Sequence, residues 1–151
     1  MWGLSSEYYL TTYIMGSSSA RLDKAVTILD DVATTASGSA IGAQDFKVCL
    51  LSFATDGGAD AALTVKFQGS IQEAAPDFSA AQTVTNMWDY IEVVDLQNGN
   101  TVNGDTGVAV AGADDYRLFE MNINGMKWIS ATVTARAQGE ITVKAYLLTN
   151  Q

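Results

Sequence analysis

Four carboxylates lie in stretches with strand character: Asp89, Glu92, Asp95 and Glu120. Two carboxyls held about 5–10 Å apart in a cleft can hydrolyse a glycosidic bond, one as acid and the other as base or nucleophile. Nothing in the linear spacing brings two of these together, and the solvated outer face of a strand is the expected place for each. The other reactive side chain is Cys49, flanked by Val48, Leu50 and Leu51. A nucleophilic thiolate needs a cationic, partly exposed setting, whereas an apolar run is the setting of a buried small hydrophobe. The chain has no histidine and one cysteine. Those two facts remove Ser-His-Asp and Cys-His catalysis, His-ligated metals, structural zinc and an intrachain disulfide. The expectation is a protein that is not an enzyme and holds neither metal nor cofactor.

Two oxygen-rich loops, Asp56 to Asp60 and Asn98 to Asp105, have the ligand chemistry of a calcium site. Neither has the spacing of an EF-hand with its closing bidentate glutamate. Asn-Gly and Asp-Gly are also what tight turns require, and plain turns are the expectation. The aromatic residues are a third candidate. Trp2, Trp88 and Trp128 could stack on sugar rings, but Trp88 and Trp128 are embedded in strand patterns, where burial is commoner. Trp2, Leu4, Tyr8 and Tyr9 form an apolar terminal segment ahead of the first firm strand, followed by the slack tract Gly16-Ser17-Ser18-Ser19. They are read as an arm that packs on a neighbouring subunit.

Net charge narrows the partners. Seventeen acids against eight bases give −9, and the bases are scattered singly. Binding duplex nucleic acid takes a basic stripe that displaces counterions, so neither nucleic acid nor an anionic membrane is an expected partner. The first seven residues lack the basic and apolar regions of a signal peptide. No run approaches the ~20 apolar residues of a membrane helix. Synthesis in a cytoplasm is expected.

The elements that must position these residues have a period of two. Ile141, Val143, Ala145 and Leu147 alternate with Thr142, Lys144 and Tyr146; Ile129, Ala131, Val133 and Ala135 do the same just upstream. Alternation marks strands with one buried face. The gap Ala137-Gln138-Gly139-Glu140 predicts a C-terminal hairpin. Phe46–Phe53 and Ala62–Ser70, joined across the turn at residues 55–60, predict a second one. Met87–Asp95 and Tyr116–Asn122 read as further strands, as do Tyr8–Ile14 and Ala25–Asp30. The β-branched content argues against a helix over Ala20–Val32, and Ser79–Gln82 fits one short turn. Glycine-rich stretches at residues 34–42 and 98–112 read as loops. The prediction is an all-β domain, an antiparallel β-sandwich of jelly-roll type with about eight strands. Residues 1–45 form an arm and first strands, and residues 46–151 the core of one domain. At this length the core needs no disulfide or metal.

Leu63-Thr64-Val65-Lys66-Phe67-Gln68-Gly69-Ser70-Ile71, then Tyr116-Arg117-Leu118-Phe119, Met126–Thr134 and Ile141–Leu148 resemble, in that order, the small β-sandwich proteins of tailed-phage heads. These are capsid decoration, cement or head-fibre-base proteins. The resemblance spans roughly residues 46–151 and lies in strand style rather than in a motif. It implies a virion structural protein, made in the host cytoplasm and placed on the capsid surface. There it would bind and stabilise the shell of major capsid protein as a homo-oligomer, a trimer by preference. No catalytic residue is implied. The aromatic set keeps an alternative open, a carbohydrate- or host-surface-binding module of a fibre or tail.

Overall fold

A computed structural model of the chain describes residues 23–56, 61–112 and 116–149. The strands are β1 (Asp23–Val32), β2 (Ile41–Gly42), β3 (Val48–Asp56), β4 (Ala61–Ser70), β5 (Asp89–Ile91), β6 (Val93–Asp95), β7 (Thr101–Val102), β8 (Val108–Gly112), β9 (Tyr116–Asn122), β10 (Trp128–Gln138) and β11 (Glu140–Leu148). Among the described residues there is no helix.

The fold is an antiparallel β-sandwich. One sheet has the order β1-β11-β3-β9-β6-β7. The other has the order β2-β10-β4-β5, with β8 pairing the first half of β4 and β5 its second half. Alternation fills the space between them. Ile141, Val143, Ala145 and Leu147 of β11 are buried, as are Leu63, Val65 and Phe67 of β4 and Ile129, Ala131 and Val133 of β10. Phe119 joins the layers: it stacks on Phe53 of its own sheet at 5.3 Å and meets Phe67 of the facing sheet at 6.3 Å. Each such ring is worth roughly 1.5–3 kcal/mol when withdrawn from water. β1 and β2, within residues 1–45, sit in this framework, and Leu29 and Ala43 belong to the core.

The connections differ from those predicted. Trp128–Arg136 and Ile141–Leu147 are strands, but they do not form a hairpin. β10 pairs with β4 and β2, whereas β11 pairs with β1 and β3 in the other sheet. β3 and β4 are likewise separated, one in each sheet. Alternation reports which face is buried and is silent on which strand supplies the hydrogen bonds. In a sandwich, successive strands can bury their apolar faces against each other across the core as well as side by side. Met87–Asp95 also divides: β5 pairs with β4, β6 pairs with β9 and β7, and Glu92 lies where the chain changes sheets. The stretches read as loops contain β2, β7 and β8. The described residues thus form eleven strands, where about eight were predicted for the chain.

Candidate functional site

Of the four strand carboxylates, Asp89, Glu92 and Glu120 are exposed. Asp95 is a correction: it points inward and is buried. Its register explains why. Arg117 lies opposite Phe53 in the inward row and pairs with Asp95, with the guanidinium 5.0 Å from the Phe119 ring. Asp95 Oδ1 also accepts the Gln97 N–H at 2.9 Å, and Asn98 Nδ2 donates to Oδ2 at 3.4 Å. Burial pushes this carboxyl up. The Gln97 N–H, and then the hydrogen bond and charge of Arg117, outweigh it and hold Asp95 below the usual carboxylate range. The pair closes one end of the core and fixes the 95–100 turn, so Asp95 is committed to structure.

Cys49 is fully buried, and loss of water pushes its thiol up to about 12. In the Asn98–Asp105 loop, Asn98 Oδ1 accepts the Asn100 N–H and Asn103 Oδ1 accepts the Asp105 N–H, each at 2.8 Å. These are Asx turns, with side-chain oxygens spent on the backbone. Most of the other loop, residues 57–60, lies outside the described residues. Among the described residues no three acids or cysteines gather as a metal site would require.

Trp88 and Trp128 are half-buried and hold the chain in place. Trp88 Nε1 donates to Ala80 O at 3.2 Å, with its ring edge-on to Phe78 and Tyr90. Trp128 Nε1 donates to Gln72 O at 3.1 Å. Gln68, predicted to face solvent, is instead buried under this segment and donates to Phe78 O at 2.9 Å. Residues 71–88 thus cover the Gln68–Ser70 end of the five-stranded sheet's outer face. Residues 36–39 run along β10, with Gly38 N–H on Ala131 O and Val133 N–H on Ala36 O, both at 2.8 Å. Trp2, Leu4, Tyr8 and Tyr9, the predicted inter-subunit contacts, lie outside the described residues, as does the strand expected at Tyr8–Ile14.

The six-stranded sheet has no such cover from the described residues, and its outer face carries exposed apolar side chains among polar ones. Cross-strand register lays out the rows. Ala25 stands opposite Tyr146, Tyr146 opposite Leu50, and Leu50 opposite Glu120. In the next row Thr27, Lys144, Ser52 and Leu118 follow one another, and Ala54 and Tyr116 stand in the row beyond. Tyr116 is 68% exposed, Leu96 45%, Leu118 44% and Tyr146 37%. Tyr116, Leu118 and Tyr146 line a shallow groove of about 520 Å³ between β1, β11, β3 and β9, together with Leu50, Ser52 and Lys144. Sequence reasoning missed this face, although a signal existed. Leu50-Leu51 and Leu118-Phe119 are apolar at consecutive positions, and a strand with that pattern is apolar on both sides.

No family model matches the sequence, and no curated protein matches it. Solved structures do. The SPBc2 prophage-derived protein YomS superposes with a TM-score of 0.60 at 12% identity, over 85% of this chain and 95% of that one. The PBSX exported protein XepA superposes with a TM-score of 0.64 at 17% identity, over 86% of this chain and 39% of that one. This chain therefore spans about two fifths of XepA's length. At such identities the shared property is the sandwich fold.

Proposed function

We propose that this protein is a structural component of a bacteriophage virion. It decorates the capsid surface and stabilises the shell of major capsid protein as a homo-oligomer, with a trimer the favoured state. The observation that carries this reading is the group of exposed apolar side chains, Tyr116, Leu118, Leu96 and Tyr146, on the outer face of the six-stranded sheet. Exposed apolar side chains gathered on one face and interleaved with polar ones mark interaction surfaces, and here Lys144 and Glu120 stand among them in the same rows. A clamp needs a rigid body and an adhesive face, and no reacting groups. The likeness in fold to a prophage-derived protein and the strand style of phage head proteins point the same way. The carbohydrate-binding alternative draws less support, since Trp88 and Trp128 hold loops by their indole N–H groups rather than presenting flat open rings.

The test is sedimentation of purified protein with undecorated shells of the phage that encodes it. The expected outcome is saturable co-sedimentation and a raised temperature of shell disruption. Shells that neither bind it nor gain stability would overturn the proposal. Light scattering on the free protein tests the trimer separately.

A further inference from the structure

We infer that Asn124 is a site of covalent change in this protein, deamidating through attack of the Gly125 main-chain nitrogen on its side-chain carbonyl carbon. Asn98 and Asn103, which also precede glycine, are held against the same reaction by the turns they stand in.

The chemistry belongs to the Asn-Gly pair. When hydroxide takes the glycine N–H proton, that nitrogen bonds to the asparagine Cγ, and the Cγ–Nδ2 bond breaks to release ammonia. A succinimide ring remains. Water then opens the ring at Cγ to give aspartate, or at the main-chain carbonyl to give isoaspartate. Glycine suits the step because no Cβ obstructs its nitrogen. The chain has three such pairs, at Asn98, Asn103 and Asn124. All three asparagines are exposed, so exposure does not choose among them. Hydrogen bonding does.

Asn98 is tied at both atoms of its amide: Oδ1 accepts the Asn100 N–H at 2.8 Å, and Nδ2 donates to Asp95 Oδ2 at 3.4 Å. The nitrogen that must attack, that of Gly99, donates to Asp95 O at 2.7 Å. Asn103 Oδ1 accepts the Asp105 N–H at 2.8 Å, and its main-chain carbonyl accepts from Thr106 at 3.2 Å and Gly107 at 2.9 Å. Gly104 is buried against β5, where a Cβ on it would stand 2.6 Å from the Tyr90 carbonyl carbon. Its nitrogen has no room to swing towards Asn103. At the third pair, neither the Asn124 carboxamide nor the Gly125 N–H has a partner among the described residues. Gly125 turns at φ +85° with open space where a Cβ would point. The Asn124 N–H donates to Asn122 Oδ1 at 3.0 Å, which fixes the main chain ahead of the pair and leaves the carboxamide unbonded. The product falls on a joint. This turn carries the chain from β9 in one sheet to β10 in the other, between the fully buried Ile123 and Met126, which packs against the core. Isoaspartate inserts a methylene into that main chain, and either product adds a negative charge to the −9.

Ageing the full chain in mildly alkaline buffer is the test, with tandem mass spectrometry resolving each asparagine. In the native protein Asn124 should convert at least about tenfold faster than Asn98 or Asn103, where two or more hydrogen bonds must break first. In urea the three should react at similar rates, because local protection is gone. Asn124→Gln, at an exposed position, should remove most of the acidic drift on isoelectric focusing and the fall in melting temperature that accompanies it. Native conversion at Asn98 or Asn103 as fast as at Asn124 would overturn the inference. So would an Asn124 that converts in urea and stays intact in the native protein, or wild type and Asn124→Gln that drift and weaken alike.

Discussion

Asp95 and Arg117 are the residues where the inward row of a sheet departs from an apolar pattern. Asp95→Asn keeps the shape and leaves the guanidinium without a counter-ion, in a site where Arg117 Nε already lacks a partner. Breaking a buried pair from one side costs about 3–5 kcal/mol. The Arg117 side chain keeps 22% of its exposure, so a loss of about 2–4 kcal/mol by urea unfolding is expected. Asp95→Leu combined with Arg117→Met should recover much of it, because no charge is left stranded. A double variant no more stable than the single would count against the ion pair as the cause. The sign of the pH dependence follows from the depressed native carboxyl. Its stabilisation is complete above about pH 3.9, the unfolded value, and is lost as pH falls through the lower native value. Asp95→Asn should therefore flatten part of the acid limb of the stability curve. Cys49 gives an independent check on the core. With its thiol pushed up to about 12, the native protein at pH 8 should react with a thiol reagent at least about a thousandfold more slowly than the urea-unfolded chain. Labelling within minutes in native buffer would contradict a closed core at β3.

The elements are held by their corners as much as by their ladders. Gly139 carries the chain from β10 in one sheet to β11 in the other at φ +92°, and a Cβ there would stand 3.0 Å from Ala61 Cβ and 3.1 Å from Asp56 O. Gly139→Ala should cost about 1–3 kcal/mol, seen as a lowered melting temperature with an unchanged native far-ultraviolet spectrum. A variant that melts with wild type would show that the corner adapts freely. The cover over residues 71–88 has a different weak point. Asn86 donates from Nδ2 to Asp77 O at 2.9 Å and Ala81 O at 3.2 Å, and accepts the Asp77 N–H at 2.8 Å. Asn86→Ala should open this segment locally. Proteolysis there should accelerate while the global melt moves little.

These corners also explain what the sequence left hidden. Leu63, Val65 and Phe67, or Ile141, Val143 and Ala145, announce their buried face because a side-chain period of two is a property of one strand. Whether β11 pairs with β10 or with β3 depends on how far the chain turns at Gly139, which the residue types do not encode. The outer face was partly legible in Leu50-Leu51 and Leu118-Phe119. It needed register to show that Leu50, Leu118, Tyr116 and Tyr146 come together. Gln68 looked solvent-facing because its neighbours alternate, and only the fold of residues 71–88 places Phe78 above it.

At the scale of the whole molecule, a net charge of −9 and the exposed apolar side chains of the outer face oppose each other. Assembly through that face gains from removing Tyr116, Leu118 and Leu96 from water. It pays in repulsion between bodies of like sign. Salt acts on the second term and hardly on the first: the Debye length shrinks from about 30 Å at 0.01 M to about 8 Å at 0.15 M. Self-association should therefore tighten as salt rises over this range. Contacts built on opposite charges, such as basic stripes on phosphate, weaken with salt instead. Sedimentation equilibrium at a series of salt concentrations reads this directly. The expected course is a dissociation constant that falls as salt rises and then levels off once the bodies are screened. A constant that rises with salt would mean that opposite charges hold the copies together, and would move the interface away from the Tyr116–Leu118 face. Leu118→Lys sharpens the comparison, since it weakens the apolar term while lowering the net negative charge. If apolar burial dominates, the variant should associate less well than wild type at 0.15 M salt, although its bodies repel each other less.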